Sequence, residues 1–155
     1  MEFRNAFSIR RDKSPCSIEE ITLPVTLLMP TGVWSFRGFW VDCDKWDDFD
    51  SRRAGDFVVG DDGVVTISSV VAAKELFSIA SLDWGVVRFS LGAGVEPVFV
   101  ASCIDGAYWV VATADDGISE ALHNSFPTEI SVASATEVAS LDREVIYASG
   151  STHTE

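Results

Sequence analysis

Three tight-turn signals, each between two runs rich in β-branched and aromatic residues, constrain the fold of this chain most strongly. The turns are Gly-Asp-Asp-Gly at 60–63, Gly-Ala-Gly at 92–94 and Asp-Gly at 105–106. Residues of these types reverse the chain within a few positions, so the runs on either side pair in opposite directions. The flanking strands are predicted at 57–59 and 64–67, 84–91 and 98–104, and 107–114. The sequence therefore predicts a sheet that is mainly antiparallel.

The rest of the chain predicts further strands and a few short helices. The additional strands are expected at 21–29, 33–41, 129–133 and 144–148. Pro24 places the first of these at a sheet edge or a bulge, because proline cannot donate a ladder hydrogen bond. Helix starts are indicated by capping residues at Ser14-Pro15, Ser68/Ser69, Asp115/Asp116 and the capping-box pattern of 134–137. The acidic run 42–50 is expected to be a loop or a single helical turn.

Length and composition indicate one globular domain. The chain has 155 residues, of which 47% are hydrophobic and 23% are charged, a balance that disordered chains do not have. We therefore predict a single α+β domain, with a mainly antiparallel sheet of six or more strands and two or three short helices. The domain is expected to span 14–148, after a basic segment 1–13 that can belong to it and before a flexible tail at 149–155.

The net charge restricts the classes of partner. It is −13, from 24 Asp and Glu against 11 Lys and Arg. A surface this negative repels phosphate backbones and anionic lipids, so neither nucleic acid nor membrane is expected as a partner. No stretch approaches the roughly 18 apolar residues of a membrane-spanning helix. The N-terminus shows no export signal, and a cytoplasmic location is therefore expected.

The acidic residues are concentrated in two parts of the chain. No Lys or Arg lies between Arg88 and Arg143, while 41–62 holds eight acids against three bases. This acidity can simply keep a small domain soluble, or it can attract a cationic protein by charge complementarity. On the second hypothesis, the predicted binding residues are Asp42, Asp44, Trp46, Asp47, Asp48 and Asp50, with Asp61, Asp62, Asp115 and Asp116 as secondary candidates.

The sequence offers no motif for catalysis. Counted as a calcium loop from Asp42, the sixth residue is Asp47 and the twelfth is Arg53, where an EF-hand needs Gly and Glu. Phosphate-loop, dinucleotide-loop and nucleophile-elbow patterns are absent, and the three cysteines form no C-x-x-C pair. We therefore predict no enzyme, no metal and no cofactor. A magnesium site on Asp42 and Asp44 is the alternative that would make the protein an enzyme.

Several short motifs resemble a known protein family. They are Leu27-Leu28-Met29-Pro30 with Trp34 and Gly38, Asp48-Phe49-Asp50 with Arg53-Ala54, Leu91-Gly92 with Pro97, Gly106 before Trp109-Val110-Val111, and Ala114-Asp115 before Pro127. Together they resemble the immunity protein 21 family of bacterial polymorphic toxin systems. The resemblance implies a protein that binds and neutralises a cognate toxin or effector protein. The negative charge of this chain favours a cationic, nuclease-like partner, and a monomer or homodimer is expected. The alternative is an acidic mimic of nucleic acid, or another binding module unrelated to toxins.

Overall fold

Eight strands form one antiparallel sheet in the computed structural model, which describes residues 5–12 and 14–141. The strands are β1 (Asn5–Ile9), β2 (Val33–Trp40), β3 (Phe57–Val59), β4 (Val65–Ile67), β5 (Ser81–Ser90), β6 (Pro97–Ile104), β7 (Tyr108–Thr113) and β8 (Ile130–Val132). Across the sheet they follow the order β3-β4-β2-β5-β6-β7-β1-β8. The predicted fold class is confirmed: this is a single α+β domain in which the sheet dominates.

Helices cover the two faces of the sheet unequally. They are α1 (Ile18–Leu28), α2 (Cys43–Arg53), α3 (Val70–Ile79), α4 (Asp116–Ser125) and a fifth helical segment at 135–141. The first four pack on one face, here called the helical face, around a core that includes Trp34, Phe36 and Trp109. On the other face, here called the open face, Leu141 of the fifth segment packs on a small cluster around Val110. The described residues thus hold more helix than the two or three short helices expected.

The strand predicted at 21–29 is wrong, because this segment forms helix α1. The buried residues Ile18, Ile21 and Val25 recur at helical spacing and pack into the core. Pro24 lies inside the helix, where it cannot donate to a carbonyl of the preceding turn. Two residues before Pro24, the hydroxyl of Thr22 donates to the carbonyl of Ile18, one turn earlier in the helix, at 2.8 Å. The packing of α1 into the core has therefore outweighed the local preference of Pro24 for a strand edge or a bulge.

Helix α1 also begins later than the Ser14-Pro15 pattern predicts. Its N-cap is Ser17, whose hydroxyl accepts from the backbone N–H of Glu20 at 3.1 Å. The Glu20 carboxylate in turn accepts from the backbone N–H of Ser17 at 2.9 Å. This reciprocal capping box fixes the start of the helix.

The loop or single turn predicted at 42–50 is also wrong, because the segment belongs to the 11-residue helix α2. Its apolar side consists of Phe49, which is fully buried, and Trp46, which packs against the same core. Asp44 lies in the first turn and Arg52 and Arg53 lie in the last turn. These charges match the helix dipole, so the sequence caps both ends of α2 electrostatically.

Other local predictions are confirmed. The hairpins β3–β4, β5–β6 and β6–β7 form around the three predicted turns. The predicted caps at Ser69, Asp115 and Ser134 all accept backbone hydrogen bonds. The N-terminal segment contributes β1, which lies between β7 and β8. The strand predicted at 144–148 and the tail predicted at 149–155 lie outside the described residues.

Candidate protein-binding surface

Helix α2 carries most of the predicted binding residues on its exposed side. Asp44, Asp47 and Asp50 are exposed on this helix, and Asp42 is exposed at its N-cap position. Within the part of the chain that the structure describes, none of these four carboxylates has an ion-pair partner. Because Phe49 anchors the other side of the helix in the core, the four charges stay at the surface. They form what we call the acidic face of α2.

Asp48 differs from these four because it is partly neutralised. Its carboxylate accepts from Arg52, one turn later, at 2.8 Å, and this bond lowers the pKa of Asp48. Arg52 also bonds to Glu75 of α3, and Arg53 donates to the same carboxylate at 3.1 Å. These ion pairs connect α2 to α3, so Asp48 is available to a partner only in competition with Arg52.

Replacing Glu75 with glutamine is expected to reduce stability at neutral pH and to have no effect in acid. The hydrogen bond from Arg52 holds the pKa of Glu75 below its ordinary value of 4.5. A depressed pKa stabilises the fold above 4.5, and this contribution is lost as the pH falls through the pKa of the folded state. Solvent screening keeps the effect to about 1 kcal/mol or less.

Urea unfolding of the native protein and Glu75→Gln between about pH 7 and pH 3 measures this difference. Asp50→Asn removes an exposed carboxylate without an ion-pair partner in the described structure, and serves as the control. A Glu75→Gln difference that persisted at the lowest pH would contradict an electrostatic origin.

Trp46 supports the acidic face rather than projecting from it. Its ring centroid lies 5.4 Å from Phe57 and 5.7 Å from Phe49, and the side chain is half-buried. Aromatic contacts at these separations are typical of a packed core. Trp46 can therefore offer a partner one edge of its ring, while the remainder holds α2 against the sheet.

The four secondary candidates lie at opposite ends of the sheet. Strand β2 ends at Trp40, and we call this end of the sheet the Trp40 end. The turn before β4, which contains Asp61 and Asp62, lies toward the same end. The start of α2 lies at the same end. Asp115 and Asp116 follow β7, whose last residue pairs with the first residue of β1 at the opposite end. Asp61 and Asp62 therefore lie toward the same end of the sheet as the start of α2, and Asp115 and Asp116 lie at the other end.

Two of these secondary candidates have local structural roles. Asp115 Oδ1 accepts from the backbone N–H of Ile118 at 3.0 Å and caps α4. Asp62 Oδ1 accepts from the backbone N–H of Val64 at 3.1 Å and closes the hairpin turn. Such bonds explain both aspartates as turn and cap residues without any partner.

Two exposed tryptophans were not singled out by the sequence. Trp40 and Trp84 are each 64% exposed, whereas Trp34 and Trp109 are buried. Simple alternation along β2 would turn Trp40 inward with Trp34. A register shift between Arg37 and Phe39 reverses this phase, so that Phe39 packs on the core and Trp40 faces outward.

The open face also carries a groove of about 500 Å³ beside the hairpin β3–β4. Its floor includes Ser35, Thr66, Arg88 and Ser90, and the turn 92–95 forms part of its rim. Its lining mixes these hydroxyl groups and the Arg88 guanidinium with valine side chains and includes Asp62. The groove is wide and open to solvent, and no two of its side chains are arranged as a catalytic pair.

Residues 5–12 and 14–141 contain no group of three or more His, Cys, Asp or Glu side chains that could hold a metal ion. Within the same residues, no helix has the length and apolar character needed to cross a bilayer. Compared with known proteins, the chain matches no family model, no curated protein and no solved structure.

Proposed function

We propose that this protein is an immunity protein that binds and neutralises a cationic toxin in the cytoplasm of the cell that produces it. The observation that carries the proposal is the acidic face of α2, where Asp42, Asp44, Asp47 and Asp50 lack ion-pair partners in the described structure. The motifs that resemble the immunity protein 21 family support the same function. On this proposal the protein acts by covering its partner, and it catalyses no reaction.

The arrangement of charge on α2 favours an intermolecular role. Asp44, Asp47 and Asp50 follow one another at intervals of three residues, a spacing at which like charges on a helix repel. A cationic surface placed against them relieves this repulsion. It also accelerates association, because long-range attraction guides the two proteins together. A basic toxin whose own site holds phosphate has the complementary charge.

Co-expression tests the proposed function directly. We expect the gene immediately upstream of this one to encode a protein whose expression stops the growth of a bacterial host. Expressing the present chain should restore growth, and the two proteins should elute as one complex in size-exclusion chromatography. An upstream product that is not toxic, or that is toxic and neither bound nor neutralised, would refute the proposal.

Reversing three charges on the acidic face should slow association with that toxin. In the variant Asp44→Lys/Asp47→Lys/Asp50→Lys, the association rate constant at low salt is expected to fall by about 10-fold or more. Its dependence on ionic strength should become flatter, because fewer charges attract the partner. Stopped-flow fluorescence at several salt concentrations measures both quantities.

The matched control changes the net charge equally at other exposed sites. Glu19, Glu96 and Glu120 are exposed and lie outside α2, so Glu19→Lys/Glu96→Lys/Glu120→Lys should affect association much less. Equal effects of the two triple variants would mean that total charge, and not the acidic face of α2, controls the encounter.

A further inference from the structure

Two large aromatic side chains lie in solvent at the Trp40 end of the sheet. Trp40 is the last residue of β2, and Trp84 lies on the neighbouring strand β5. Both are 64% exposed, whereas Trp34, on the same strand as Trp40, is completely buried. Exposed tryptophan is costly in water and is enriched among the residues that dominate binding energy at protein interfaces.

The backbone places these two side chains on neighbouring strands and on the same face of the sheet. Phe39 packs on the helical face, so the next residue, Trp40, faces the open side. Trp84 lines a small cavity of about 160 Å³ with Ser102 and Ser140, which also belong to the open face. Between them, Gly38 lies so close to Trp84 that a Cβ atom on Gly38 would be 2.4 Å from the Trp84 carbonyl oxygen.

Exposed carboxylates lie at the same end of the sheet as this pair of rings. Asp42 lies two residues after Trp40, and Asp44 follows in the first turn of α2. Asp105 is exposed in the turn from β6 to β7, which lies at the same end of the sheet because β6 runs antiparallel to β5. Arg37, the half-buried cation beside Trp84, already interacts within the chain. This end of the sheet therefore combines two exposed aromatic rings with several exposed carboxylates.

The protein shows the same chemistry within its own fold. The Arg10 guanidinium carbon lies 3.6 Å from the centroid of the Tyr108 ring, and the same group donates to Glu137 at 3.0 Å. A guanidinium is thus held by an aromatic face and a carboxylate together. Arginine suits such a site better than lysine, because its planar group stacks on a ring while its N–H donors stay available to an acid.

We infer that Trp40 and Trp84 anchor the docking surface for arginine side chains of a cationic protein partner, with Asp42, Asp44 and Asp105 as carboxylates at the same end of the sheet. The inference rests on the proposed function and names the part of the surface that supplies binding energy. The acidic face of α2 attracts the partner, and the two rings hold it. The partner is therefore recognised by arginine residues and not by positive charge alone.

Defined peptides test this division of roles. The probes are three fluorescent ten-residue peptides in which serine alternates with arginine, lysine or glutamate, and binding is measured by anisotropy at low salt. We expect the arginine peptide to bind most tightly and the glutamate peptide not at all. Trp40→Ala/Trp84→Ala should weaken the arginine peptide by about 10-fold and the lysine peptide by less.

A matched control removes another exposed apolar side chain. Leu27 of α1 is 72% exposed, so Leu27→Ala should leave binding of both cationic peptides unchanged. If the tryptophan variant binds the arginine peptide as the native protein does, or loses the lysine peptide equally, the anchor role is wrong.

Co-expression with the toxin separates failure of this inference from failure of the proposed function. If the native chain neutralises the toxin and Trp40→Ala/Trp84→Ala neutralises it equally well, the inference fails and the function stands. If the native chain does not neutralise the toxin, the proposed function fails. The peptide experiment alone then decides whether the two rings form a surface that prefers arginine.

Discussion

Replacing Trp34 with alanine is expected to lower the free energy of unfolding by about 3 to 5 kcal/mol. The side chain is completely buried, and its ring lies 5.0 Å from Phe77 and 4.8 Å from Phe89 between centroids. Alanine would leave a cavity lined by these rings, because a close-packed sheet and helix layer cannot collapse around it. A loss of this size is a large part of the stability of an ordinary domain.

Two other variants show where the effect of Trp34→Ala comes from. Trp34→Phe keeps a ring and removes an indole N–H that is buried without a hydrogen-bond partner among the described residues, so its cost should be much smaller. Trp40→Ala removes the same side chain from the exposed end of the same strand, and should cost less than about 1 kcal/mol. Chemical denaturation of the three variants measures this order. A Trp40→Ala loss as large as that of Trp34→Ala would contradict the burial pattern of β2.

Replacing Gly38 with alanine is expected to destabilise the protein by about 2 to 4 kcal/mol. Gly38 has a φ of 78°, and an added Cβ would meet the Trp84 carbonyl oxygen at 2.4 Å. The substitution thus combines an unfavourable backbone conformation with a collision against the neighbouring strand. Relief of the collision requires the irregular pairing of β2 with β5 to change, so binding of the arginine peptide should weaken in the same variant.

Gly63 provides the control for the backbone contribution. It has a similar φ of 81°, but nothing lies within 4 Å of an added Cβ. Gly63→Ala should therefore cost only about 1 to 2 kcal/mol. Thermal and urea unfolding of both variants would test the difference, and equal losses would show that the close approach of β2 and β5 contributes nothing.

The strands were predictable because their signals are local. Each hairpin combines a short turn with two alternating runs, and such patterns need no knowledge of the distant chain. Helix α1 was not predictable in the same way. Its buried residues, Ile18, Ile21 and Val25, show helical spacing in the sequence, but Pro24 in their midst indicates a strand edge. Only the packing of α1 between α3 and α4 resolves this conflict.

The concentration of acidic residues at 42–50 was predictable from the sequence, but their location on a helix was not. The run of aspartates suggested a loop, because each is a weak helix former. The helix forms because Phe49 and Trp46 bury one side of it and because Arg52 pairs with Asp48 and Glu75. The Asp48–Arg52 pair lies within α2, but the packing of Phe49 and Trp46 and the bond to Glu75 involve other elements, so the segment alone does not contain the whole signal.

The exposed tryptophans could not be found from sequence because their orientation depends on one irregular position. Gly38 shifts the alternation of β2, and the sequence contains other glycines that cause no such shift. Trp40 is consequently at the surface, although a regular strand would bury it. The location of the proposed anchor thus follows from a bulge, which becomes visible only when both paired strands are known.

The distribution of thiols makes the proposed surface directly observable. Cys43 is exposed between Asp42 and Asp44, whereas Cys16 and Cys103, the other two cysteines of the chain, are buried. Burial also raises the pKa of Cys16 to about 11, which leaves almost no reactive thiolate at neutral pH. A maleimide dye added to the native protein will therefore label the rim of the docking surface selectively. The unmutated chain thus carries its own attachment point for an optical test of the proposed toxin binding.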